Sequence, residues 1–148
     1  MTEGLTSVSP TLLRRLIAAT LVGYLLALAL TVFWPSSAAP ASGVRWVHAR
    51  LMEVGVSDAF TPSMVQFVSN IVLFVPLTFL ASLLWQRRSW LVWTLVGFAG
   101  SLFIEITQML LLSGRSPTVR DVVANTLGAL VGVLLARPIH SRLRPTAL

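Results

Sequence analysis

Six side chains are out of keeping with the apolar runs that carry them. Gln66 and Asn70 stand four residues apart in one run, Glu105 and Gln108 three apart in a second, and Asp121 and Asn125 four apart in a third. Three or four residues is the repeat of one helical face, so each pair points one way if its run is helical. A charge at the centre of a membrane span costs about 2.5–3.5 kcal/mol on insertion scales, and such groups face a polar partner or a watery cavity. Two acids with Arg115 and Arg120 close by have two chemical uses. They can hold the polar head of a ligand, or do acid–base work if one carboxyl keeps its proton.

The elements that must position them are membrane spans. Of 148 residues, 55% are hydrophobic and 11% charged, and the mean hydropathy is +0.83, far beyond what a small water-soluble core hides. Four runs are long enough to cross about 30 Å of hydrocarbon: Leu16 to Trp34, Met64 to Trp85, Trp90 to Leu112 and Val119 to Ala136. The expected architecture is all-α, a four-helix polytopic membrane protein. It divides into a cytoplasmic N-terminal segment (1–15), a transmembrane domain (16–136) and a basic cytoplasmic tail (137–148). The first run, after Arg14 and Arg15, also resembles a secretory leader. It outlasts the usual ~7–15-residue apolar core of one and ends in the bulky Phe33-Trp34 pair, so it is expected to stay as a span. The stretch from Pro35 to Gly43, rich in Pro, Ala and Ser, reads as loop. Val44 to Thr61, of mixed polarity, reads as a short interfacial helix or loop with Trp46 at headgroup depth. Pro76 is expected to kink the second span.

Orientation follows from the arginines, the chain having eleven of them, no lysine and five acids. With both termini inside, seven (Arg14, Arg15, Arg87, Arg88, Arg137, Arg142, Arg144) face the cytoplasm and four (Arg45, Arg50, Arg115, Arg120) face out, the better arrangement under the positive-inside rule. Arginines placed between apolar runs meet anionic headgroups, and a nucleic-acid partner is not expected. Helical spans this long and apolar are expected in a cytoplasmic membrane and not in an outer-membrane barrel.

With that topology Asn70, Glu105 and Asn125 all fall roughly 9–12 Å below the outer boundary at about 1.5 Å per residue. Three spans thus put polar groups in one layer, with Arg115 and Arg120 just above it as natural counter-charges for Glu105 and Asp121. The candidate ligand-binding set is Asn70, Glu105, Gln108, Arg115, Asp121 and Asn125. Its plainer alternative is helix-to-helix adhesion, about 0.5–2 kcal/mol per contact. Gly128-Ala-Leu-Val-Gly132 and Gly97-Phe-Ala-Gly-Ser101 permit close helix approach, within the chain or in an oligomer. The five tryptophans sit near span ends as interfacial anchors. The chain has no cysteine, and His48 and His140 lack companions at ligand spacing, so no metal and no cofactor are expected.

These residues, in this order, resemble the VanZ-like family of small bacterial membrane proteins. The resemblance runs through Asn70-Ile-Val-Leu-Phe-Val-Pro76, Glu105-Ile-Thr-Gln108, Arg115 and Asp121-Val-Val-Ala-Asn125-Thr-Leu-Gly128-Ala-Leu-Val-Gly132. After Pro76 the family often carries Gly, where this chain has Leu77-Thr78. The family is named for a protein associated with low-level resistance to the glycopeptide teicoplanin. What the resemblance implies is kinship with such resistance, most members being small membrane proteins of unassigned role; the leading reading of the residues is a non-enzymatic cell-envelope protein. The ligand expected from polar head and membrane depth together is a membrane lipid, a lipid-linked wall precursor or a lipoglycopeptide. Two other readings stand beside it: a hydrolase or transferase on a lipid-linked precursor, with Glu105 or Asp121 as base and Arg115 on phosphate, and a structural subunit of a larger membrane complex. The enzyme reading lacks a Ser–His pair, a metal-ligand set and a glycine-rich phosphate loop.

Overall fold

The computed structural model describes residues 9–34, 38–111 and 118–143, and all regular structure among them is helical. The helices are α1 (Pro10–Val32), α2 (Ala38–Glu53), α3 (Pro62–Leu84), α4 (Trp90–Leu111) and α5 (Val119–Leu143). Four of them, α1, α3, α4 and α5 as far as Ile139, are long and apolar enough to cross a membrane. The multi-pass helical architecture read from the apolar runs is therefore present.

The ends differ from the sequence reading in ways that cap chemistry explains. α1 begins six residues early because Ser9 accepts from the backbone N–H of Leu12 and Pro10 occupies the first turn. Thr61 and Pro62 start α3 in the same way. A hydroxyl before a proline satisfies one orphan N–H while the proline has none to satisfy. At the other end α5 continues through Arg137 and Pro138 to Leu143, so the basic tail begins inside a helix. The stretch read as loop up to Gly43 is also corrected: from Ala38 onward it belongs to α2. Its Pro40 stands in the first turn, where proline needs no N–H partner. α2 is followed by a turn at Gly55, which adopts φ +85°, and His48 Nε2 lies 2.8 Å from the carbonyl of Phe60, tying α2 to the approach to α3.

Among the four spans α5 is the central one. Buried residues make up 44% of its apolar window, against 11% for α1. α3 packs along it in parallel and α4 antiparallel, while α1 lies on the outer side of α3. Small residues allow this. A Cβ at Gly128 would collide with the Ile71 carbonyl, and one at Gly132 with Thr78 and the Val75 carbonyl, so both members of the GxxxG motif press on α3 of the same chain. Gly97 does the same for α4, its missing Cβ being replaced by the Ala129 methyl. The first residues of α3 and α5 and the last of α1 and α4 lie at one end of the bundle, here called the polar end. Arg14, Arg15, Arg87 and Arg88 mark the other.

Candidate functional site

The three polar-bearing helices meet in register, and the register can be read from their side-chain bonds. Asn70 Nδ2 donates to Asp121 Oδ1 at 2.7 Å, and Thr78 Oγ1 donates to the Ala129 carbonyl at 2.9 Å. Both links join α3 to α5 across 51 residues of sequence, as a parallel pair requires. On α4, Ser101 Oγ receives Asn125 Nδ2 at 2.8 Å and Gly97 faces Ala129. Four residues back on α4 match four residues forward on α5, the antiparallel rule. Extending both series by one step places Glu105 level with Asp121 and Asn70.

The result is a ladder of three levels about 6 Å apart, one per four residues of helix. Asn70, Glu105 and Asp121 form the first, Phe74, Ser101 and Asn125 the second, and Thr78, Gly97 and Ala129 the third. Polarity declines with depth, from carboxylates and amides to an amide–hydroxyl pair to a single threonine hydroxyl, in step with the rising cost of charge toward the membrane centre. Ser101 and Thr78 are almost wholly enclosed, at 0% and 1% exposure. Thr78 occupies the stretch after Pro76 where the family often carries Gly. Its hydroxyl reaches the Phe74 carbonyl at 3.2 Å as well as Ala129.

Glu105 is buried and its Oε2 accepts the backbone N–H of Thr118 at 2.9 Å. Thr118 in turn caps α5, its Oγ1 accepting from the backbone N–H of Asp121 at 3.0 Å. Thr118-Val-Arg-Asp121 has the spacing of a capping box, in which the acid three residues on would return to the cap's own N–H. Here the acid that does so comes from α4. Asp121 is thereby free to turn to α3, where it accepts from Asn70 and, at 3.4 Å, from Gln66 Nε2.

Of the six candidates, Asn70, Glu105, Asp121 and Asn125 share the ladder. Gln108 is buried but looks elsewhere, its Nε2 donating to the Val32 carbonyl at 2.6 Å, which fastens α4 to the end of α1. Arg115 lies outside the described residues. The expected pairing of Arg120 with Asp121 does not occur: the Arg120 guanidinium bonds Ser63 Oγ and stands 5.3 Å from the Phe67 ring centroid. Arg120 is exposed at the helix start, where hydroxyl and aromatic face lie nearer than the carboxylate, which the amides of α3 already occupy. Sequence reasoning passed over Thr78, Ser101, Thr118 and Tyr24. Tyr24 donates to the Leu73 carbonyl at 2.6 Å, in the turn where Pro76 has no N–H to offer. The signal was helical spacing: Ser101 stands one four-residue step back from Glu105, and Thr78 two such steps onward from Asn70. For Thr118 it was the cap pattern itself.

No group of three or more His, Cys, Asp or Glu among the described residues is arranged to hold a metal ion. No curated protein and no solved structure matches the chain. A family model described as VanZ/LLP1 matches residues 21–141, a span that contains the whole ladder, and the chain belongs to that family.

Proposed function

We propose that this VanZ/LLP1-family protein is a non-enzymatic component of the bacterial cell envelope. It sits in the cytoplasmic membrane with both termini inside and binds the polar head of a lipid-linked or lipid-tailed molecule at the outer leaflet. Through such binding it contributes to tolerance of teicoplanin-type glycopeptides. Asn70, Glu105, Asp121 and Asn125 form the recognition set, and Arg115 is proposed to join it. The observation that carries the reading is the half-buried Asp121 carboxylate, met by two amides and by no cation among the described residues. A carboxylate has about four lone-pair sites. An acceptor-rich level of this kind suits a head that brings donors: sugar hydroxyls, peptide amides or an ammonium group. Such a head, with its tail in the bilayer, lies at the depth of the first level.

The test is tolerance of teicoplanin in a susceptible bacterium expressing wild type, Asp121→Asn or Glu105→Ala at equal membrane abundance. A gain with wild type that is lost in both variants supports the proposal. Equal tolerance in cells with and without the wild-type chain overturns the resistance role, and a gain retained in both variants removes the polar level from it.

A second reading has its own support. The side-chain amides of Asn70, Asn125 and Gln108 each donate to a partner inside the chain, as they would if the ladder only fixed helix register in a structural subunit. Binding of a purified lipid-linked precursor, absent in wild type, would favour that reading.

A further inference from the structure

The arginine end carries a feature independent of the polar ladder. A groove of about 600 Å³ runs between α1 and α4 with α3 as its floor. Leu25 and Leu28 form one wall, Leu77 and Ala81 the floor, and Val96 and Gly100 the other wall. From Trp85 to Phe74 along the floor, and from Trp93 to Ile104 along the wall, is eleven residues each. That is about 16 Å at 1.5 Å per residue, and on the α1 side the lining runs on to Phe33 at the polar end, so the groove is long enough for an acyl chain entering from the arginine end. At its mouth stand Trp85 and Arg88, which also line an adjoining cavity of about 940 Å³ with Arg14 and Arg87. None of these three arginines has an acid within ion-pair distance among the described residues, where the single ion pair is Arg50–Glu53.

We propose that this groove is a binding site for an anionic phospholipid of the leaflet at the arginine end. One acyl chain lies in the groove and the phosphate sits among Arg14, Arg87 and Arg88. Charge selects the lipid: three guanidiniums with no acid partner among the described residues offer bidentate contacts to a phosphodiester, and a second, cationic headgroup charge would be repelled. The groove selects the tail, since each methylene taken in adds apolar contact.

Gly100 makes the tail test clean. It lines the groove, and a Cβ built there meets nothing within 4 Å, so the side chain of Gly100→Leu has open space at its base from which to enter the groove. The full chain is purified in mild detergent, given equal amounts of phosphatidylglycerol and phosphatidylcholine, and examined by native mass spectrometry. Wild type is expected to hold one phosphatidylglycerol in preference to phosphatidylcholine. Arg88→Gln should reduce that preference about fivefold, the effect of one basic residue at an anionic membrane surface. Gly100→Leu should lose the retained lipid while its thermal unfolding is unchanged. Equal retention of the two lipids by wild type overturns the proposal, as does undiminished lipid on Gly100→Leu. A dimer whose stability depends on an open groove at Gly100 would show that a second copy of the chain is the occupant instead.

Discussion

The carboxylate of Glu105 accepts the backbone N–H of Thr118, the residue that caps α5. One helix thus completes the start of another, and the buried acid has a structural role. Charge-assisted bonds of this kind contribute about 1.5–3 kcal/mol, more than a neutral contact between spans. Glu105→Ala is therefore expected to destabilise the protein by about 2 kcal/mol in reversible unfolding from micelles. Glu105→Gln, which keeps an acceptor oxygen, should cost less than half as much. Equal losses in the two variants would mean that the charge and not the cap is what matters.

The ladder makes a quantitative claim about Asn70 and Asp121, 2.7 Å apart. A double-mutant cycle with Asn70→Ala and Asp121→Ala isolates their coupling. Bonds between spans average about 0.6 kcal/mol with a ceiling near 1.7. A charged acceptor in a half-buried level places this pair in the upper part of that range. Strict additivity of the two single variants would remove the bond from the account of how α3 meets α5.

The glycines predict sharply unequal responses to the same change. Gly128→Ala and Gly132→Ala each drive a methyl into the backbone of α3, at Ile71 and Val75. Overpacking of a fitted site costs about 1–3 kcal/mol, and here the obstruction is backbone, which cannot rotate away. Gly23→Ala and Gly100→Ala meet nothing within 4 Å and should be neutral or slightly stabilising, since glycine in a helix interior is disfavoured by about 1 kcal/mol. Melting of the four variants in one detergent decides it. A mild effect at Gly132 would show that α3 and α5 are less closely apposed.

Much of this was legible in the residues, for reasons that particular positions make plain. Spans can be read because hydrocarbon thickness dictates a length, and no other constraint yields runs such as Met64 to Trp85. Gln66/Asn70 and Asp121/Asn125 could be read because amides and acids are expensive in lipid and must find partners. Arg120 misled: proximity in sequence to Asp121 suggests an ion pair, whereas the helix start aims the guanidinium at Ser63 and Phe67. Thr78 and Ser101 were silent, because a hydroxyl in a span can always satisfy itself on its own helix. Only the register shows that they bond across helices. The extent of α2 was hidden by Pro40 and Gly43, loop residues by composition: Pro40 falls in the first turn, where proline is compatible with helix, and Gly43 lies one turn further on, where glycine is tolerated at a cost of about 1 kcal/mol.

Orientation is open to direct measurement, because the chain contains no cysteine and single cysteines can be added without removing others. Ser57 lies between α2 and α3 and Ser89 between α3 and α4; both are exposed. Arg87 and Arg88 adjoin Ser89, whereas the arginines near Ser57 share their segment with Glu53 and Asp58, and Arg50 is already paired with Glu53 at 2.6 Å. The positive-inside rule counts basic residues in short loops, so Ser89 belongs in the cytoplasm and Ser57 outside. With both termini inside, Ser57→Cys should react with a membrane-impermeant maleimide in intact spheroplasts, and Ser89→Cys only after permeabilisation. The opposite pattern would invert the bundle. It would put the polar ladder at the cytoplasmic face and the groove with Arg14, Arg87 and Arg88 in the outer leaflet, where a glycopeptide's lipid tail would reach it directly.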